Sequence, residues 1–146
     1  MKKDINLLIG AMLISIATHV MATESHGVTL DQHCLISDDK KVQLEWGTVS
    51  VGSPDWEASY IKYGVKKKPI NIYLQSIKAE DDGPVDRPKV FMRQYLEIID
   101  GKISGEYVFN TQGVNFVDGY YKSYKTGKIT NLSGGDIFSD GCVWKR

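Results

Sequence analysis

Three histidines, two cysteines and a scatter of carboxylates are the side chains that could do chemistry here. A hydrolase triad needs a histidine held by a folded scaffold beside a serine or cysteine nucleophile. His19 lies in an apolar leader. His26 and His33 lie close behind it, in or beside a polar stretch (Thr23 to about Asp31) that reads as an extended tail. No Gly-x-Ser-x-Gly surrounds any serine, and no phosphate loop or dinucleotide fingerprint occurs. His33-Cys34 lacks the second spaced pair that a zinc site requires, so neither a metal nor another cofactor is expected. Glu45, Glu57, Glu97, Glu106, Asp118 and Asp136 could meet in space, and a carboxylate pair suffices for glycoside cleavage. Charged residues at alternate positions of a solvated strand face are ordinary, however. The chain reads as a binding protein with no catalytic residues.

The elements that would position these groups begin after residue 22. Met1-Lys2-Lys3 is a short positive start, Ile5 to Val20 is almost wholly apolar, and Val20-Met21-Ala22 offers the small residues a leader peptidase accepts. Residues 1–22 are therefore expected to be a cleaved secretory signal and 23–146 a single domain in the periplasm. The apolar run is shorter than the roughly 20 residues of a membrane span, and no span is expected after cleavage. In an oxidising compartment Cys34 and Cys142 should pair within the chain, although pairing with a second copy is the alternative. Loop-entropy reasoning gives so large a ring roughly 4–5 kcal/mol of stabilisation.

Charge excludes one class of partner. Basic and acidic residues balance at 18 each, and loss of Lys2, Lys3 and Asp4 leaves one acid in excess. A nucleic-acid binder should show a basic excess. Lys66-Lys67-Lys68 and Glu80–Asp86 read as solvated connections between strands.

The pattern from Lys41 onward alternates. Val42, Leu44 and Trp46 share one face while Gln43 and Glu45 share the other, and Ile70, Ile72 and Leu74 repeat the arrangement. Trp56–Tyr63 could be strand or a helical turn. Lys89–Ile99, Ile103–Phe109, Val114–Tyr124 and Lys128–Leu132 read as strands separated by Asp100-Gly101, Asn110–Gly113 and Thr126-Gly127 turns. Ser133–Asp136 reads as a flexible loop before a closing segment, Ile137–Trp144. The expectation is an all-β antiparallel meander, forming a small sandwich or barrel with one disulfide.

Ser133-Gly134-Gly135-Asp136-Ile137 resembles the Ser-Gly-x-x-Tyr loop of bacterial inhibitors of c-type lysozyme, with isoleucine in place of the tyrosine and Phe138 next. Tyr121-Lys122-Ser123-Tyr124-Lys125-Thr126-Gly127 resembles their Tyr-x-x-x-Thr-Lys-Gly segment with Lys and Thr exchanged. In overall format the chain is also similar to periplasmic immunity proteins that block a VgrG-type muramidase effector of type VI secretion. The resemblance implies an inhibitor or immunity protein whose partner is a peptidoglycan hydrolase. It implies partner contacts at Ser133, Asp136 and Phe138, with Tyr120, Tyr121 and Tyr124 on a neighbouring face, and a possible homodimer. The alternative function is binding of a small envelope ligand, which would need an aromatic-lined cavity inside the β scaffold. A glycan-acting enzyme is the third.

Overall fold

A computed structural model describes residues 27–52, 57–80, 87–135, 137–138 and 141–144. The leader, Trp56 and Asp136 lie outside the described residues. Among the described residues ten strands follow in order: β1 Val28–Ser37, β2 Gln43–Val51, β3 Glu57–Lys62, β4 Ile70–Ala79, β5 Val90–Ile99, β6 Lys102–Gln112, β7 Asn115–Ser123, β8 Ile129–Gly134, β9 Ile137–Phe138 and β10 Gly141–Cys142. The first eight form a closed antiparallel barrel in sequence order, and β9 and β10 form a separate two-stranded sheet. The choice between sandwich and barrel is thus resolved in favour of the barrel.

Eight strands enclose an interior just wide enough to be filled by side chains. Alternation along each strand sends Leu35, Leu44, Trp46, Ile61, Ile72, Tyr95, Tyr107, Phe109 and Leu132 inward, where they form one buried cluster. Phe109 is its hub, with ring centroids 4.4 Å from Trp46, 5.9 Å from Tyr95 and 5.7 Å from Tyr107. Rings at these spacings add to the transfer free energy of burial. The barrel therefore has a packed core in place of a cargo chamber.

Three features shape the wall. At the β5–β6 turn, Asp100 and Gly101 have φ of 50° and 74°, the positive pair that a tight hairpin needs to match strand twist. Gly47 on β2 lies under the ring of Tyr60, where any β-carbon would overlap the aromatic carbons. Register shifts interrupt β4–β5, β5–β6 and β6–β7, and such bulges add the local twist that closure requires.

β1 pairs with β8 through Leu35–Ser37 and Leu132–Gly134. Cys34 points out of the wall and is joined to Cys142 by the disulfide, which fastens the closing segment across this seam.

Three local expectations change. Asn110–Gln112 continue β6 and leave only Gly113-Val114 as the turn. The stretch to Asp31 is not all tail, because β1 already begins at Val28. Its inward positions near the chain start include His33, and the apolar alternation that marks a strand is weak there. Ser133-Gly134 belongs to β8 because Ser133 and Gly134 pair with Ile36 and Leu35, so long-range pairing overrides the loop-like composition.

Candidate functional site

The barrel has two chemically different ends. The upper end carries the β1–β2, β3–β4, β5–β6 and β7–β8 connections. The lower end holds the start of β1 and the β6–β7 turn.

Just inside the upper end, Glu97 on β5 is 4% exposed. Its Oε1 accepts hydrogen bonds from Ser104 Oγ at 2.6 Å and Tyr121 OH at 3.0 Å, and its Oε2 accepts one from Tyr107 OH at 2.8 Å. The Tyr63 and Tyr107 hydroxyls are 2.6 Å apart. Since Tyr107 spends its proton on Glu97, Tyr63 is the donor in that pair. Ser104 is the extra residue of the β5–β6 register shift, so the bulge itself aims a hydroxyl at the carboxylate. Burial pushes the Tyr107 and Tyr121 phenols well above their ordinary pKa, and the Tyr63 hydroxyl and the Glu97 charge push further on Tyr107.

Above this network lies an open cleft of about 970 Å³ lined by Lys40, Lys41, Tyr63, Lys66 and Trp144 among others. The β1–β2 turn that presents two of these lysines is firmly built. Lys40 takes a φ of 57°, its N–H donates to Ser37 O at 2.7 Å, and Ser37 Oγ donates to Asp39 at 2.6 Å. The disulfide brings Trp144 alongside from the chain end. Lysines 25 positions apart in sequence thus edge one concavity between two aromatic residues.

At the lower end, a smaller cavity of about 110 Å³ is bounded by Asp31, His33, Trp46, Thr48, Glu57, Arg93, Thr111, Gly113 and Val114. Arg93 Nη1 donates to Thr111 Oγ1 at 2.5 Å. Glu57 Oε1 accepts from Tyr95 OH at 3.1 Å. The His33 ring stacks on Trp46 at 4.9 Å. Burial lowers the His33 pKa; Asp31 opposes that shift and Arg93 reinforces it. The indole Nε1 of Trp46 is buried with no hydrogen-bond partner.

The carboxylates that could have met are dispersed. Glu45 is bound by Gln32 and Tyr60, Glu106 by Gln94, Tyr124 and Lys122, and Asp118 by Asn110. No hydrogen bond among the described residues joins two of these carboxylates.

The expected contact residues also separate. Tyr120 faces outward opposite Asn131. Ser133, two residues further along β8, is exposed with its Oγ donating to Ile36 O at 3.4 Å. These two therefore share the outer β7–β8 wall. Tyr124 is exposed at the upper end and donates to Glu106 at 2.8 Å. Tyr121 instead points inward, packs tilted against Tyr107 with ring centroids 4.6 Å apart, and is committed to Glu97. Phe138 lies on β9 opposite Gly141.

The residues not anticipated are Lys40, Lys41, Tyr63 and Trp144 above, and Arg93, Trp46 and Thr111 below. Arg93 left one trace in the sequence, since it has the same strand parity as Tyr95 and Glu97 and so puts a charge on an inward face.

Comparison with known protein families, with curated proteins and with solved structures finds no match to this chain.

Proposed function

We propose that the domain is an exported inhibitor or immunity protein that acts in the periplasm by binding and blocking a peptidoglycan-degrading, muramidase-like enzyme. The observation that carries this reading is the upper cleft, where Lys40, Lys41 and Lys66 stand with Tyr63 and Trp144 around one rigid concavity. Enzymes that cleave glycans generally use paired carboxylates in a groove, and a lysine-edged surface complements such a groove. Aromatic residues supply the apolar anchor that charge alone lacks.

The packed interior favours work done on the outer surface over carriage of a bulky ligand. The disulfide suits an oxidising compartment, and a closed barrel loses little conformational freedom on binding. Ser133, Tyr120 and Tyr124 extend the proposed contact surface along the adjoining wall.

The test uses the purified, disulfide-bonded protein as bait for wall-degrading enzymes, with peptidoglycan clearing by the captured enzyme as the readout. Excess bait should silence the clearing, and a Lys40→Glu/Lys41→Glu/Lys66→Glu variant should lose inhibition by on the order of tenfold or more, mostly through slower association at low salt. Unchanged clearing at saturating bait would sink the proposal. Full inhibition by the charge-reversed variant would remove the cleft from it.

A further inference from the structure

The lower cavity has no part in the proposed inhibition, and its composition is unusual for a barrel mouth. Side chains from β1, β2, β3, β5 and β6 converge on about 110 Å³. They bring the cation Arg93 and the carboxylates Asp31 and Glu57 to the same wall, yet the one ion pair among the described residues is Lys122–Glu106, elsewhere. Opposite charges that could have closed on each other instead face across space. Asp31 and Glu57 are exposed at the mouth and Arg93 is partly buried beneath them, and no ion pair joins them, so both signs of charge are available to a third group.

The polar groups around the gap have the same character. Thr111 is 3% exposed and accepts from Arg93, which fixes the direction of the guanidinium and leaves further N–H groups of its five. Trp46, also 3% exposed, forms part of the wall through its ring, and its unpartnered indole N–H is itself buried. A buried donor left unmade costs roughly 1–3 kcal/mol.

Charge selects the ligand. A simple anion would meet Arg93 but also two carboxylates, and a simple cation would meet the carboxylates but also Arg93. Burial holds the His33 pKa below its ordinary value, which favours the neutral ring there. A molecule carrying both charges a few ångströms apart satisfies both sides. Room for several waters, at roughly 10–15 Å³ each by this measure, limits the ligand to a handful of heavy atoms.

We infer that this mouth binds a free small α-amino acid of the size of glycine or alanine, with its carboxylate on Arg93 and its ammonium on Glu57 and Asp31. Binding is independent of enzyme inhibition at the other end. It would make the protein responsive to an amino acid in its surroundings.

The experiment titrates the purified disulfide-bonded protein with glycine, L-alanine, D-alanine, acetate and methylammonium, following the Trp46 indole N–H and His33 ring resonances. The amino acids should shift both signals saturably, at concentrations at least tenfold below those at which acetate or methylammonium acts. Arg93→Gln and Glu57→Gln should each weaken amino-acid binding about tenfold or more, the scale of one lost charged contact, while Tyr124→Phe should leave it unchanged. Equal response to acetate, or to methylammonium, overturns the assignment of a zwitterion. Absence of any saturable shift in the wild-type protein overturns the site, whether or not either variant folds.

Discussion

The two ends of this barrel each place a carboxylate and aromatic residues in or near the interior, and they treat the charge in opposite ways. At the upper end Glu97 is enclosed and its oxygens accept three hydroxyl hydrogen bonds. At the lower end Arg93, Asp31 and Glu57 share a cavity without pairing, beside an indole N–H that bonds to nothing. A buried charge is tolerated when its hydrogen-bonding capacity is filled. The upper network therefore has the form of structure: it fixes the strands beneath the lysine cleft. The lower set has the form of a site, since its opposite charges stand around one open space without an ion pair between them.

The most severe way to break this division is to remove what separates the ends. Phe109 contacts Trp46 and Tyr95 on one side and Tyr107 on the other, so Phe109→Ala should cost about 3–5 kcal/mol in denaturant unfolding and disturb the resonances of both ends together. A Cys34→Ser/Cys142→Ser double variant should cost about 2–5 kcal/mol by the same measurement. It should also free Trp144 from the cleft edge, weakening inhibition while leaving amino-acid binding intact.

Glu97→Gln sharpens the comparison. It replaces an acceptor of three hydroxyl protons with an amide that can satisfy only some of them. A loss of about 1–3 kcal/mol is expected, without change in ligand binding below. A neutral result would show that the upper network is not structural.

The ends should also mark opposite limits of pH stability. His33 has a folded pKa below its ordinary 6.5, so the unfolded chain takes up a proton that the folded one refuses. Stability from this group is whole above about pH 6.5 and falls as pH drops through the lowered folded value. Tyr107 and Tyr121 have folded pKa values above their ordinary 10.0, so the unfolded chain ionises first on the alkaline side. Their contribution is whole below pH 10 and declines as pH rises beyond it. Denaturation midpoints measured across pH should show both slopes, with His33→Gln flattening the acid limb and Tyr107→Phe the alkaline one. The acid effect is the smaller, because His33 is only half-buried.

Much of the wall was legible from local pattern. Leu44 and Trp46 alternate with Glu45 because one face of β2 packs into the apolar core while the other is covered by polar partners, and Asp100-Gly101 marks the β5–β6 hairpin because few other dipeptides accept two positive φ values. The candidate sites were less legible. His33 looked like part of a tail because the inward side of β1 near its start carries a polar ring where apolar residues would announce a strand. Lys66 looked like an ordinary solvated turn, and nothing local connects it with Lys40 or Trp144. Tyr120 and Tyr121 looked equivalent as neighbours, yet strand parity puts one on the outer wall and the other on Glu97.

The amino-acid sequence by itself determined that this is an all-β antiparallel meander and that its two cysteines could form a staple, because period-two hydrophobicity, turn dipeptides and residue type are local properties. Tertiary structure alone decided that the meander closes as a barrel, that Glu97 finds three hydroxyl donors, and that Arg93 meets Asp31 and Glu57 across a cavity. Those outcomes depend on register between strands far apart in the chain, and closure sets that register through the pairing of Leu35–Ser37 with Leu132–Gly134, which no short window of sequence contains.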